Sequence, residues 1–257
     1  MGDVKLLKGD CIEKMREIED NSIDSVITDP PYGTTGCSWD RLLNHEEMWK
    51  ELKRITKHQA AIVLFSNQPY TTDLISSNIE MFKYTWVWIK NRPTLYQHAK
   101  NRPMGKHEDI CVFSKAGMGH ASLLKDNRMK YNPVGVKEEK KTKKVGPQPN
   151  YIGPRDNQNG KEYEAQTGYP STVLNFNSEI VLYHPTQKPV ALLEFLVKTY
   201  TDENETILDF TMGSGSTGVA ASLNNRNFVG IELDENYFQI AEKRIKDSNV
   251  NLNDFFS

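Results

Sequence analysis

The chain has 257 residues, of which 37% are hydrophobic and 26% charged, enough for one large α/β domain or two small ones. No apolar run approaches the ~20 residues that cross a bilayer, and the opening MGDVKLLKGD lacks the apolar stretch of a signal peptide. Cys11, Cys37 and Cys111 are odd in number and scattered, which argues against a disulfide framework or a zinc site and for a reducing, cytoplasmic setting without bound metal.

In chain order, Val4 to Leu7 reads as a short strand, followed by a helical pattern in Ile12, Met15 and Ile18 that Asn21 and Ser22 break. Ile23 to Thr28 is the next strand. Glu46 to Ile55 has Met48, Leu52 and Ile55 on one helix face, and AAIVLFS (Ala60 to Ser66) is a strand apolar enough to be buried on both sides. MFKYTWVWIK and EDICVFSK are β-branched and aromatic strands. From Ala116 to Tyr183 the periodicity fades into Gly, Asn, Pro and Lys, the mark of an inserted functional segment. Pro189 then opens a helix to Tyr200, and ETILDF (strand), Thr217 to Leu223 (helix), NFVGIEL (strand) and Asp234 to Lys246 (helix) complete the chain. Strands alternating with helices predict a doubly wound, mainly parallel sheet, whose ligands lie at the carboxyl ends of strands.

Two such ends stand out. In SVITDPPYGTTG an apolar strand stops at Asp29, and two prolines fix the backbone, so one carboxylate, free carbonyls and the Tyr32 ring are held in a set geometry. In LDFTMGSGSTGVAA, Gly213 and Gly215 permit a tight turn and close approach of a ligand, and the next helix offers free N–H groups. Glu232 follows at the end of the next strand, 232 − 215 = 17 residues on, where a Rossmann-type site places an acid on ribose hydroxyls. Together these point to an adenosine-containing cofactor. The spacing argues against a P-loop, whereas Gly213, Gly215 and Gly218 match G-x-G-x-x-G and leave a nicotinamide-dependent oxidoreductase open.

TDPPY, then HPTQKP, then DFTMGSGSTG resembles the DNA amino-methyltransferases that use S-adenosylmethionine to modify adenine N6 or cytosine N4, in the β-class motif order. LLKGD, HEDICVFSKA and VGIELDENYFQIAEKRI are similar to the flanking elements of that family. The resemblance implies a Rossmann-like class I methyltransferase fold with circularly permuted motifs. Its two halves would be residues 1–115 (catalytic) and 184–257 (cofactor-binding), with a target-recognition segment at 116–183. It implies a catalytic tetrad of Asp29, Pro30, Pro31 and Tyr32. Asp209, Gly213 and Gly215 would line the methionine and ribose of the cofactor, Glu232 would hold the ribose, and Asp10 with Cys11 would lie near the adenine. Asp29, Phe210, Thr211, Ser216, Thr217 and Leu233 would complete the cofactor shell, and Lys188 would approach the cofactor carboxylate. The chain departs from its relatives at Phe210-Thr211, where they commonly have Pro-Phe. An aspartate-led tetrad leans towards adenine N6; cytosine N4, or an RNA or protein-glutamine substrate, is the alternative.

That chemistry suits the residues. An exocyclic amine is a poor nucleophile, and the Asp29 carboxylate with the Pro30 carbonyl, both accepting its N–H groups, would localise its lone pair without reorganisation. A base buried in a duplex must first be flipped out, and Tyr32 offers a face for it. No Pro-Cys dipeptide is present to serve a cysteine route to cytosine C5. The formal charge of −2 conceals a basic middle, since residues 81–190 carry 18 Lys/Arg against 9 Asp/Glu and the remainder 14 against 25. Arg92, Lys100, Arg102 and Lys106, with Lys137, Lys140, Lys141, Lys143 and Lys144 near Tyr151 and Arg155, are therefore expected to meet DNA phosphates. A solvated lysine-rich loop or a non-catalytic DNA-binding module are the plainer readings. The family also suggests a homodimer and a partner restriction endonuclease.

Overall fold

Two apolar faces on one sheet, each covered by its own helices, organise the main unit of this computed structural model, which describes residues 2–33, 41–142, 162–180 and 183–253. Cys37, Lys143, Lys144, Tyr151 and Arg155 lie outside the described residues. The main unit, Met1–Asn132 with Thr172–Ser257, begins β1 (Val4–Lys8), α1 (Cys11–Met15), β2 (Ile23–Thr28), α2 (His45–Ile55), β3 (Thr56–Ser66) and α3 (Tyr70–Ser77). It continues with β4 (Phe82–Thr94), β5 (Gly105–Phe113) and α4 (Ala121–Leu124). A separate unit, Pro133–Ser171, contains β6 (Lys137–Thr142) antiparallel to β7 (Glu162–Thr167). The main unit resumes with β8 (Val173–Asn175), α5 (Val190–Tyr200), β9 (Thr206–Asp209), α6 (Ser216–Leu223), β10 (Asn227–Glu232) and α7 (Glu235–Asn253).

The large sheet runs β1-β10-β9-β2-β3-β5-β4-β8. Only β5 opposes its neighbours, pairing antiparallel with β3 and β4; every other pair is parallel. Successive strand residues point to opposite faces. Ile27, Val63, Phe65, Ile110 and Ile207 therefore pack with Leu193, Leu196, Ala220 and Ile245 of α5, α6 and α7. Val26, Ile62, Leu64, Cys111 and Leu208 pack on the other side with Met15, Met48, Leu52 and Leu74 of α1, α2 and α3. The mainly parallel, doubly wound sheet expected from the alternation of elements is what the chain adopts.

Local chemistry sets the helix ends. Asn44 caps α2 by accepting from Glu46 N at 2.9 Å, and Glu46 and Glu47 complement the helix dipole. Pro189 stands just outside α5 as its N-cap, one residue before the helix begins. Gly215 caps α6 at φ +78°, and a Cβ there would lie 2.8 Å from the Ala241 Cβ, so this glycine serves the turn and the packing of α7. No helix among the described residues is long and apolar enough to cross a membrane.

Elements also form where the sequence pattern is silent. α3 (YTTDLISS) has poor helix formers and is held by the buried Tyr70 and Leu74. Within the stretch expected to be irregular, β6 (KEEKKT) is polar throughout and β7 (EYEAQT) has one aromatic and one alanine among polar residues, too little apolar alternation to read. β8 joins the edge of the large sheet beside β4, with Leu174 in the core.

Candidate active site

β2 and β9 are neighbours in the sheet, with Ser25 opposite Ile207 and Val26 opposite Leu208. Their carboxyl ends therefore emerge side by side, although Asp29 and Asp209 are 209 − 29 = 180 residues apart. Side chains then tie the two turns together. The Thr28 hydroxyl donates to Asp209 Oδ1 at 2.6 Å and lies 2.7 Å from the Thr211 hydroxyl, which donates to the Asp29 carbonyl at 3.1 Å. At the departure from the family pattern, Phe210 is buried in the core and Thr211 supplies this clamp.

The turns open on a cavity of about 530 Å³. Asp10, Cys11, Asp29, Pro30, Pro31, Tyr32, Lys188, Asp209, Phe210, Thr211, Gly213, Ser216, Thr217, Glu232 and Leu233 all line it. Gly215, alone among the residues expected at the cofactor or the base, does not; it faces α7. Phe65, His184, Gln187 and Tyr237 also contribute; His184 and Gln187 belong to HPTQKP and Tyr237 to VGIELDENYFQIAEKRI, but the sequence alone assigns none of the four a role.

At one end the Glu232 carboxylate accepts from Gly213 N at 2.9 Å and Asp234 N at 2.8 Å. Burial raises its pKa, and these N–H groups oppose the rise. Asp10 caps α1 through Ile12 N at 2.9 Å and Glu13 N at 3.1 Å, which orients its side chain at the rim. Burial pushes the Cys11 thiol up to about 12, so it stays protonated and unreactive. His184 packs on Tyr237 with ring centroids 4.2 Å apart, and burial followed by the Lys188 charge lowers its pKa to about 4, leaving a neutral imidazole. Burial raises Asp209 to about 6 against hydrogen bonds from Thr28 and Thr217.

At the other end the Asp29 carboxylate has two partners. Tyr32 donates its hydroxyl to Oδ1 at 2.5 Å, and the Lys188 ammonium binds Oδ2. Lys188 also lies 3.4 Å from Glu108 Oε2, and Glu108 is paired with Lys90. Burial works against the Lys188 cation, but Asp29 and Glu108 hold it protonated, with the Phe65 ring 5.1 Å beneath. Tyr32 stacks on Tyr70 at 5.1 Å and 25°, so its ring is fixed at both the face and the hydroxyl. Glu108 escapes the sequence reading because its importance lies in a buried alternation of two cations and two anions assembled from four distant segments. Its only trace is its place in HEDICVFSKA.

Arg92, Lys100, Arg102 and Lys106 are all exposed on the β4–β5 hairpin. Lys137 and Lys140 are exposed on β6, where Glu138 and Glu139 interrupt the row and Lys140 stands opposite Glu164. Lys141 is also in β6. Among the described residues, no group of three or more His, Cys, Asp or Glu could hold a metal ion.

A family model described as DNA methylase, that of the N6/N4 methyltransferases, matches residues 23–243. The chain belongs to this family. The methylase is 30% identical to the type II methyltransferase M.HinfI of Haemophilus influenzae, over 97% of its own length and 70% of that protein. It is 26% identical to the DNA adenine methyltransferase YhdJ of Escherichia coli K12, over 93% and 82%. Among solved structures, the fold of the methylase is shared by the M1.HpyAVI–SAM complex (TM-score 0.61, 24% identity, 94% and 99% of the two chains). It is shared also by the cytosine-N4-specific PvuII DNA methyltransferase (TM-score 0.65, 16% identity, 98% and 93%).

Proposed function

We propose that the methylase moves the methyl group of S-adenosylmethionine to the N6 amine of an adenine flipped out of DNA, in the cytoplasm. The observation that carries this reading is the shared cavity: Asp29 and Tyr32 line the same space as Gly213 and Glu232. The cavity volume falls within the range of small-molecule sites, and acids stand at both ends for ribose hydroxyls and for cationic groups. When bound, S-adenosylmethionine supplies a sulfonium methyl open to direct displacement.

The residues of the chain divide the work. Asp29 and the Pro30 carbonyl accept the amine N–H groups and aim its lone pair, with the prolines removing the cost of reorganisation. Tyr32 supports the extruded base, Glu232 takes the ribose hydroxyls, Asp10 and Cys11 border the adenine, and Asp209 with the Gly213 turn faces the methionine portion. Lys188, expected beside the cofactor carboxylate, is bound to Asp29 and Glu108; burial raises the Asp29 pKa, and in this reading Lys188 opposes that rise and orients the carboxylate. The aspartate-led tetrad and the likeness to a named DNA adenine methyltransferase support adenine. Residues 116–183 serve target recognition, and a homodimer with a partner restriction endonuclease completes the proposal.

Modified-base sequencing of DNA from cells expressing the chain tests this directly. N6-methyladenine at one recurring sequence is expected. N4-methylcytosine there would move the activity to cytosine, and labelled cofactor transferred to RNA or protein but not DNA would overturn it.

Two further outcomes follow from the electrostatics. The cofactor is cationic at its sulfonium and amino groups, so it favours ionised Asp209. With Asp209 raised to about 6, binding is weakened below that pH, and affinity rises about tenfold between pH 5 and pH 7. Calorimetric titration across that range should show the rise, and Asp209→Asn should flatten it. If the four hairpin cations each meet a phosphate, DNA affinity falls with salt at a log–log slope of about −3.6. Lys100→Ala and Lys106→Ala should each relax that slope by about 0.9 in salt-dependent binding measurements.

A further inference from the structure

From Asn91 to His107 the β4–β5 hairpin carries Arg92, Lys100, Arg102 and Lys106 and no acidic residue. At its tip the Tyr96 side chain is 83% exposed. The tip is built rather than slack. Leu95 takes the left-handed φ of +67°, and Tyr96–His98 form a 3₁₀ turn. His98 N donates to Leu95 O at 3.0 Å, Ala99 N to Tyr96 O at 3.0 Å, and Arg102 N to His98 O at 3.0 Å, while Thr94 pairs with Gly105 below. An aromatic ring ordinarily gains by burial. Here backbone hydrogen bonds hold one out in water, on a hairpin whose charged residues from Asn91 to His107 are all Lys or Arg.

The root of the hairpin adjoins the active site. Glu108 pairs with Trp88 in the sheet, binds Lys90 and faces Lys188, which holds Asp29. Tyr96 lies six residues past Lys90, on the order of 20 Å of extended chain. The hairpin therefore springs from strands joined to the pocket through the Glu108–Lys188–Asp29 charges and ends in a stacking surface.

We infer that Tyr96 enters the base stack of duplex DNA at the gap left by the extruded nucleotide. The inference rests on the reading of the chain as a base-flipping DNA methylase. Its partner must combine an anionic exterior with exposed π faces inside, which duplex DNA does once a base has left. The cations seat on phosphates and the ring replaces the stacking lost on flipping, a sequence-tolerant contact. The phenol hydroxyl is not required for this.

The test compares wild type, Tyr96→Ala and Tyr96→Phe on two duplexes containing the mapped target site, one fully paired and one with the target base mispaired. A mispaired base costs less to extrude. We expect Tyr96→Ala to lower kcat/KM about tenfold or more on the paired duplex and to approach wild type on the mispaired one. Tyr96→Phe should match wild type on both, and the thermal midpoint of each variant should be unchanged. 2-Aminopurine at the target should brighten on binding wild type and less on binding Tyr96→Ala. Wild-type rates for Tyr96→Ala on the paired duplex, or equal losses on both duplexes, overturn the inference alone. A wild-type chain inactive on both duplexes overturns the methylase reading beneath it.

Discussion

Replacing Asp29 with alanine is expected to abolish methyl transfer while cofactor binding survives. In the proposed mechanism the carboxylate accepts from the target amine, and it is held by Tyr32 on one oxygen and Lys188 on the other. Loss of one preorganised partner at a reacting group costs about 10²–10³ in rate, and here the group that aims the nucleophile is removed altogether. Cofactor contacts attributed to Glu232, Asp10 and the Gly213 turn lie elsewhere on the cavity wall and are untouched. Single-turnover transfer with labelled S-adenosylmethionine, beside calorimetric binding of the same cofactor, separates the two effects. Near-normal turnover would refute the assignment; parallel loss of binding would make Asp29 a cofactor ligand first.

The second large effect is on stability. Lys188→Met removes the cation shared by Asp29 and Glu108 and leaves two carboxylates in a largely buried setting, a change worth about 3–5 kcal/mol when a buried pair is broken. The sign of its pH dependence follows from burial. Burial already raises the Asp29 pKa against the pull of Lys188, and removing the ammonium raises it further, while Glu108 keeps Lys90; the folded variant therefore binds more protons at Asp29 and gains stability as pH falls. Urea unfolding at pH 5 and pH 8 should show a smaller gap from wild type at pH 5. A gap that is constant, or wider at pH 5, would mean that the ammonium does not neutralise these acids. Glu108→Gln supplies the complementary case. It retains the Lys188–Asp29 pair, and a modest loss of stability with a shifted pH–rate profile marks Glu108 as a positioning residue.

Much of the fold and of the site is legible in the amino-acid sequence, for physical reasons. Ala60 to Ser66 is apolar, and Ile23 to Thr28 buried, on both faces because both faces of a doubly wound sheet are covered, whereas a strand with one face in water would alternate. Asp29 and Gly213 are legible because prolines and glycines impose backbone geometry wherever they occur. What escapes is whatever depends on tertiary pairing. Lys188 is recognisable as a functional lysine, yet only the folded chain places it on Asp29 and Glu108. Gly215 reads like Gly213 in sequence, but one faces the helix α7 and the other the cavity. The lysine-rich run from Lys137 reads as a basic patch, whereas the strand pairing sets Glu164 against Lys140. Tyr96 is one aromatic among many until its exposure at a hydrogen-bonded tip is seen.

The central claim is that the proline-stiffened acid and the glycine turn, joined by Thr28 and Thr211, serve a single site. A crystal structure of the chain soaked with S-adenosylmethionine tests it most directly. Adenosine ribose on Glu232, with the sulfonium methyl directed towards Asp29, is expected. Cofactor seated with its methyl pointing away from Asp29, or bound outside this cavity, would contradict it.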